Sequence, residues 1–248
     1  MWRALILREA LTRLFKRRAA WFWLLLEPLA HVALLGFIFS VIRQRHVGNM
    51  ETLLWIVLGL LGFFAFRRTT IQTSKAIESN QALFAFRQVT PVDTVVARAV
   101  LELAMVAALF MIALSAIGLM GFDITPFDPI EALCAVAGLW AFGLGIGLIS
   151  SAVSAGATEF RDVLGMVMMP LYFVSGVLIP LSAIPEPYRG YLMYNPIANG
   201  LEGLREAFSP YYHSAPETSL PYLYFVALCL LVFGLVAHRR FRRVILAK

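Results

Sequence analysis

Six apolar segments of membrane length determine what this chain can fold into. A bilayer core offers no water to the backbone, so a spanning segment must satisfy its own N–H and C=O groups, most simply as a helix of about 20 residues. The segments cover residues 21–42, 53 to the low seventies, 95–119, 132–154, 163–181 and 220–237. The sequence therefore predicts an all-α, polytopic integral membrane protein, with six transmembrane helices in one domain over residues 1–248.

The charges predict how the chain is oriented in the membrane. Only 15% of the 248 residues are charged, whereas soluble domains have about a quarter, and the net charge is +6. The basic residues stand in blocks next to the apolar segments, which argues against a nucleic-acid partner. With both termini in the cytoplasm, most Lys and Arg residues fall on the cytoplasmic side, as the positive-inside rule requires.

The stretch 159–208 is the most unusual part of the chain. A charged cluster, EFRDV, is followed by an apolar run that contains Pro170, Gly176 and Pro180. Because proline removes a helical hydrogen bond, the fifth span is expected to break at Pro170. A Pro-rich turn and a short amphipathic stretch follow, within residues 182–219. Broken membrane helices of this kind are typical of proteins that open and close a path through a bilayer.

Two polar segments on the basic side carry further signals. Residues 1–20 are basic and amphipathic, which indicates a helix lying on an anionic leaflet; a plain positive-inside anchor is an equally good interpretation. Residues 69–94 form a cytoplasmic loop with a short helix of exposed apolar side chains, typical of an element that docks another protein. The alternative is that this helix packs under the bundle. The candidate docking residues are Asn80, Leu83, Phe84, Phe86 and Arg87.

Two acidic residues lie inside predicted spans, where an unpaired carboxylate costs about 2.5–3.5 kcal/mol on insertion scales. Glu27 stands four residues before His31, so the two side chains could pair, although a hydrated interfacial Glu27 is the preferred interpretation. Glu102 stands four residues after Arg98, and this spacing predicts an ion pair within one helix.

The sequence lacks the motifs of common catalytic sites. It contains no G-x-x-x-x-G-K-[ST] phosphate loop, no H-E-x-x-H and no G-x-S-x-G, and its four histidines are scattered. We therefore expect no catalytic residue, metal or cofactor in this chain. Energy for uphill transport would come from a partner subunit.

The whole chain resembles the permeases of ABC-2-type exporters, and in particular those that export capsular polysaccharide in Gram-negative bacteria. The resemblance rests on the order of the elements and on four short motifs. These are Glu159-Phe160-Arg161-Asp162-Val163, Pro170, Tyr194-Asn195-Pro196 and Gly203-Leu204-Arg205.

The resemblance implies a specific assembly in the bacterial inner membrane. Two copies of the chain would pair with two copies of a cytoplasmic ATPase, which would carry the ATP and Mg²⁺. The segment 80–89 would be the coupling helix, and residues 182–219 would form re-entrant outer helices that close the channel. The cargo would be a lipid-linked acidic polysaccharide, which periplasmic and outer-membrane partners would carry onward.

Sugars stack on aromatic rings, and acidic sugars need Arg or Lys, so aromatic residues of the second and fifth spans and two arginines at the cytoplasmic mouth are candidates for the channel lining. They are Phe63, Phe64, Phe66, Arg67, Arg68, Tyr172 and Phe173. For the aromatic residues the alternative is bundle core, and for the arginines it is topology anchoring. Glu159, Arg161 and Asp162 form a candidate inner gate, with Arg161 as a local ion-pair brace.

Two other functions are compatible with the sequence. The chain could belong to an exporter of another lipid-linked glycan or of a small amphiphile. It could also be a membrane scaffold subunit that transports nothing.

Overall fold

A computed structural model describes residues 2–14, 20–42, 46–85, 88–154, 156–157 and 159–242. These residues are α-helical apart from one small hairpin, two short 3₁₀ helices and the connecting turns. This confirms the all-α prediction. The α-helices are α1 (Trp2–Leu14), α2 (Ala20–Ile42), α3 (Thr52–Ser74), α4 (Pro91–Leu119), α5 (Pro129–Ser154), α6 (Phe160–Val174), α7 (Tyr188–Met193), α8 (Pro196–Phe208) and α9 (Leu220–Arg240). The 3₁₀ helices cover Glu78–Ala85, called here the 3₁₀ segment, and Leu181–Ala183.

Five of the described helices are long and apolar enough to cross a membrane: α2, α3, α4, α5 and α9. They correspond to five of the six predicted spans. The fifth predicted span differs, because α6 has 15 residues and ends at Val174. The expected break at Pro170 is wrong: α6 continues through this proline, and the chain turns instead at Gly176. Gly176 has φ +75°, a left-handed conformation that residues with a Cβ rarely adopt.

Helix α3 is the centre of the bundle. Most of its residues are buried, and it contacts α2, α4, α5, α6 and α8. Glycines on α5 allow the close approach: Gly143 and Gly147 face α3, and Gly145 faces α9. The Thr70 hydroxyl donates to the Gly143 carbonyl at 3.2 Å across the α3–α5 contact. This is the small-residue packing that brings membrane helices together.

Helix α8 is buried among α3, α5 and α9. The Leu201 side chain of α8 contacts Gly62 of α3, and Gly200 of α8 lies against Leu139 of α5. Both partner positions are about ten residues, or about 15 Å, from the start of their own helices. A bilayer core is about 30 Å thick, so α8 extends to about half the length of the spanning helices.

The bundle has two different ends. One carries strands β1 (His46–Val47) and β2 (Met50–Glu51), joined by a two-residue turn in which Gly48 and Asn49 both have positive φ. This hairpin end also holds the first residues of α3, α5 and α9. The opposite end, called the α1 end, holds α1, the 3₁₀ segment and the first residues of α4 and α6.

We expect Gly147→Ala to destabilise the protein. A Cβ at this position would lie 2.8 Å from the Thr73 Cβ and closer still to its hydroxyl, so α3 and α5 would have to move apart. Overpacking of this kind costs about 1–3 kcal/mol. The apparent melting temperature in detergent measures the effect. Gly165→Ala on α6 is the matched control, because a Cβ there meets nothing within 4 Å; an equal loss in both variants would contradict the packing role.

Candidate functional site

A cleft between α2, α3 and α6 contains most of the predicted lining residues. It consists of a larger cavity of about 390 Å³ and a smaller one of about 260 Å³. His31, Phe64 and Arg67 line both cavities, so the two are continuous along α3. We call this recess the α3 cleft.

Six of the seven predicted lining residues lie on the α3 cleft. They are Phe63, Phe64, Arg67, Arg68, Tyr172 and Phe173. Phe66 lies elsewhere: it is fully buried, and its ring packs against Phe142 with centroids 5.4 Å apart. Phe63 is also buried, and its ring packs edge-to-face with the Tyr172 ring, with centroids 5.1 Å apart. The accessible aromatic surface of the cleft therefore comes mainly from half-buried Tyr172 and exposed Phe173.

The smaller cavity combines opposite charges with an aromatic wall. The charged residues that line it are Glu27, Arg67 and Arg68. His31 lines it as well, and the centroid of its ring lies 5.8 Å from that of the Phe64 ring. Glu27 is exposed, and its hydration at the membrane interface stays a prediction. Arg67 is exposed as well, so its guanidinium can reach a ligand in the cleft.

Arg68 is held in an ion network. Its guanidinium contacts Glu102 at 3.1 Å and donates to the Leu24 carbonyl at 3.2 Å, and Glu102 also pairs with Arg13 of α1. The predicted Arg98–Glu102 pair is wrong. Arg98 pairs instead with Glu9 of α1 at 2.5 Å, because α1 places a carboxylate closer than the next turn of α4 does. Helix α1 is therefore attached to α4 by two ion pairs, and Glu102 extends this link to Arg68 of α3.

The predicted inner gate is arranged differently from the expectation. Arg161 pairs with Glu78 of the 3₁₀ segment, so the expected local brace to Glu159 and Asp162 is wrong. Glu159 and Asp162 are exposed. The contact ties the first turn of α6 to the 3₁₀ segment.

The predicted docking residues take different positions on and beside the 3₁₀ segment. Asn80 is buried and donates to the Ala76 carbonyl at 2.9 Å, while accepting from Arg8 at 3.2 Å. Phe84 is half-buried against the apolar cluster around Ile77. Leu83 is half-buried too, and Phe86 and Arg87 lie outside the described residues.

A buried ion pair lies at the hairpin end. Arg205 and Glu202 of α8 are both fully buried, and Arg205 Nη1 donates to Glu202 Oε1 at 2.8 Å. The same guanidinium donates to the carbonyls of Gly176 at 3.0 Å and Val177 at 3.3 Å. It also lies 3.9 Å from the centroid of the Trp55 ring on α3.

Glu202 has two further donors, which satisfy its second oxygen as well. The Tyr212 hydroxyl lies 3.1 Å and 3.2 Å from the two carboxylate oxygens, and the Ala215 N–H donates to Oε2 at 3.2 Å. The Trp55 indole N–H donates in turn to the Tyr212 oxygen at 3.1 Å. Burial raises the pKa of Tyr212 to about 12, so this hydroxyl keeps the proton that it donates. We call these residues the Arg205 network.

One sequence signal could have pointed to this network. Glu202 and Arg205 stand three residues apart in a helix that also has Gly200 and Gly203, and small residues indicate close packing rather than exposure. The other partners, Trp55 and Tyr212, are distant in sequence, so residue spacing could not have predicted them.

A family model described as an ABC-2 type transporter matches residues 2–209 of the chain. The chain belongs to the ABC-2 type transporter family. Among relatives, it is 37% identical to the polysialic acid transport protein KpsM of Escherichia coli, over 95% of this chain and 91% of KpsM.

More distant relatives in the ABC-2 family match over a similar extent. The capsule polysaccharide export inner-membrane protein CtrC of Neisseria meningitidis serogroup A is 26% identical, over 97% of this chain and 90% of CtrC. The capsule polysaccharide export inner-membrane protein BexB of Haemophilus influenzae is 24% identical, with the same coverage.

In this ABC-2 transporter, Arg205→Gln is expected to destabilise the bundle strongly. The substitution leaves Glu202 buried without its cationic partner, a change that costs about 3–5 kcal/mol in protein interiors. The apparent melting temperature in detergent should fall, and Glu202→Gln in the Arg205→Gln background should recover part of the loss. Arg189→Gln is the control, since it breaks surface pairs with Glu186 and Glu217. Equal effects in both arginine variants would rule out a special role for the buried pair.

Proposed function

We propose that this chain is the membrane-spanning permease subunit of an ATP-driven exporter that moves capsular polysaccharide across the bacterial inner membrane. The observation that carries the proposal is its similarity, over at least 90% of either chain, to KpsM, CtrC and BexB, whose names refer to polysialic acid or capsule polysaccharide. ATP hydrolysis, with its Mg²⁺, belongs to a cytoplasmic ATPase partner. Both termini then lie in the cytoplasm, with the α1 end facing the ATPase.

The α3 cleft supplies the chemistry for an acidic glycan. Tyr172 and Phe173 offer aromatic faces for sugar rings, and Arg67 offers an exposed guanidinium for carboxylate or phosphate groups. A polymer needs a continuous groove. Most of α6 is exposed, and its one buried residue is Met168, so a second copy of the chain facing α6 would complete the path.

The 3₁₀ segment is suited to transmit ATPase movement. Its exposed side faces away from the bundle, while Asn80 fixes it to α1 and Glu78 fixes it to Arg161 at the start of α6. Displacement of this segment would therefore move α6, which is one wall of the cleft. At the hairpin end, the segment 182–219 contains α7 and α8 and would close the path as a re-entrant pair. A periplasmic adaptor and an outer-membrane export protein would receive the polymer there.

Leu83→Asp is expected to abolish retention of the ATPase in a mild-detergent pull-down with the tagged chain. Leu83 is the better position for this test, because Phe84 also packs against the bundle and Phe84→Asp would lower stability as well. Gln81→Asp is the matched control, an exposed residue on the same segment that receives the same charge. If Leu83→Asp retains the ATPase as the wild type does, the 3₁₀ segment is not the docking element.

Arg67→Gln is expected to lower capsule at the cell surface by about tenfold, since a charge-assisted hydrogen bond contributes about 1.5–3 kcal/mol. The melting temperature should stay unchanged because Arg67 is exposed. Arg68→Gln should instead lower the melting temperature, because Arg68 holds Glu102. Surface capsule measured with an anti-glycan reagent gives the result, and Arg239→Gln is the control for an exposed arginine outside the cleft. Normal capsule in Arg67→Gln, or in a strain that lacks the chain, would contradict the proposal.

A further inference from the structure

A second recess lies at the α1 end, apart from the α3 cleft. It has a volume of about 620 Å³ and is bounded by α1, the 3₁₀ segment and α4. Its lining residues are Arg8, Glu9, Leu11, Thr12, Arg13, Ser79, Asn80 and Arg98. We call it the α1 recess. It contains three arginines and one carboxylate, so its wall is strongly basic.

The charges of the α1 recess are only partly neutralised. Arg98 is paired with Glu9, and Arg13 with Glu102 behind the wall. Arg8 donates to the neutral Asn80 side chain at 3.2 Å, and the described residues give it no carboxylate within ion-pair distance. One guanidinium at the mouth of the recess is therefore available to an anion.

The recess opens beside an apolar ridge on α1. Leu7 and Leu11 are exposed on the face of α1 opposite buried Glu9, and Leu11 also lines the recess. On a helical projection, Arg8 flanks this ridge on the side of the recess, and Arg3 flanks it on the other side. An apolar ridge next to a basic side is the pattern of a helix at the level of lipid headgroups.

We infer that the α1 recess binds the phosphate of an anionic phospholipid, with Arg8 as the principal contact and Leu11 against the acyl chain. A phospholipid is favoured over a free phosphate because the basic wall of the recess is continuous with the exposed apolar ridge of α1. A bound headgroup would contact both α1 and the 3₁₀ segment through Ser79 and Asn80, so it would stiffen the surface next to the proposed ATPase dock. This inference does not depend on what the protein transports.

Native mass spectrometry of the purified full-length chain tests the inference. The probes are dioleoylphosphatidylglycerol and dioleoylphosphatidylethanolamine, which share acyl chains and differ in net charge. We expect the wild type to retain the anionic lipid preferentially. Arg8→Gln should weaken the first binding event about tenfold, as expected for loss of one charge-assisted contact. Arg3→Gln is the matched control, an exposed arginine on the same helix outside the recess, and should bind as the wild type does.

Each other outcome overturns the inference. Equal retention of both lipids by the wild type, or equal weakening in Arg3→Gln and Arg8→Gln, would mean that only general surface charge is involved. Displacement of the lipid by inorganic phosphate alone would identify a site for a free anion. Weaker ATPase retention in Arg8→Gln with unchanged lipid binding would make the recess part of a protein-docking surface. The wild-type comparison of the two lipids needs no variant, so a folding defect in Arg8→Gln could not obscure the answer.

Discussion

The buried guanidinium of Arg205 constrains the whole hairpin end of the molecule. A buried charge is tolerated only with partners, and here they come from α8 itself, through Glu202, and from the two carbonyls after α6. Those carbonyls are free because α6 ends at Val174 and the chain turns at Gly176. Helix α3 must also make room, since a Cβ at Gly59 would collide with Arg205. One side chain therefore determines how α3, α6 and α8 meet.

The two ends of the bundle hold their ion pairs in different surroundings. Arg205 and Glu202 are completely buried, whereas the side chains of Arg13 and Arg68 at the α1 end remain 16% exposed. Water near a charge raises the local dielectric and weakens the pair, so the contacts at the α1 end can rearrange at lower cost. The exposed Glu78–Arg161 pair is the extreme case, with Glu78 60% exposed. The Arg205 network is thus the most deeply buried of the described ion clusters, whereas the α1 end combines the buried Arg98–Glu9 pair with partly exposed pairs.

The sequence allowed five spans to be predicted, because length and apolar composition suffice for a membrane helix. Six of the seven predicted lining residues also lie on one cleft, because α3 and α6 pack side by side. Sequence reasoning failed where partners are distant in sequence. The spacing of Arg98 and Glu102 allowed a pair, but Glu9 from α1 took Arg98 instead. Pro170 indicated a break, yet a helix that loses one hydrogen bond can continue, whereas the positive φ at Gly176 ends it.

Helix α6 connects the two ends, and its structure suits that position. Its first turn is tied to the 3₁₀ segment through Arg161 and Glu78, and the carbonyls just after its last turn accept from Arg205. Between these ties it has one buried residue, Met168, so few packing contacts oppose its movement. Pro170 lies four residues before the end of α6 and removes a backbone hydrogen bond, which makes bending there easier than elsewhere. A force on the 3₁₀ segment would therefore tilt the part of α6 before Pro170 while the Arg205 network holds the residues after it, and this motion would change the width of the α3 cleft.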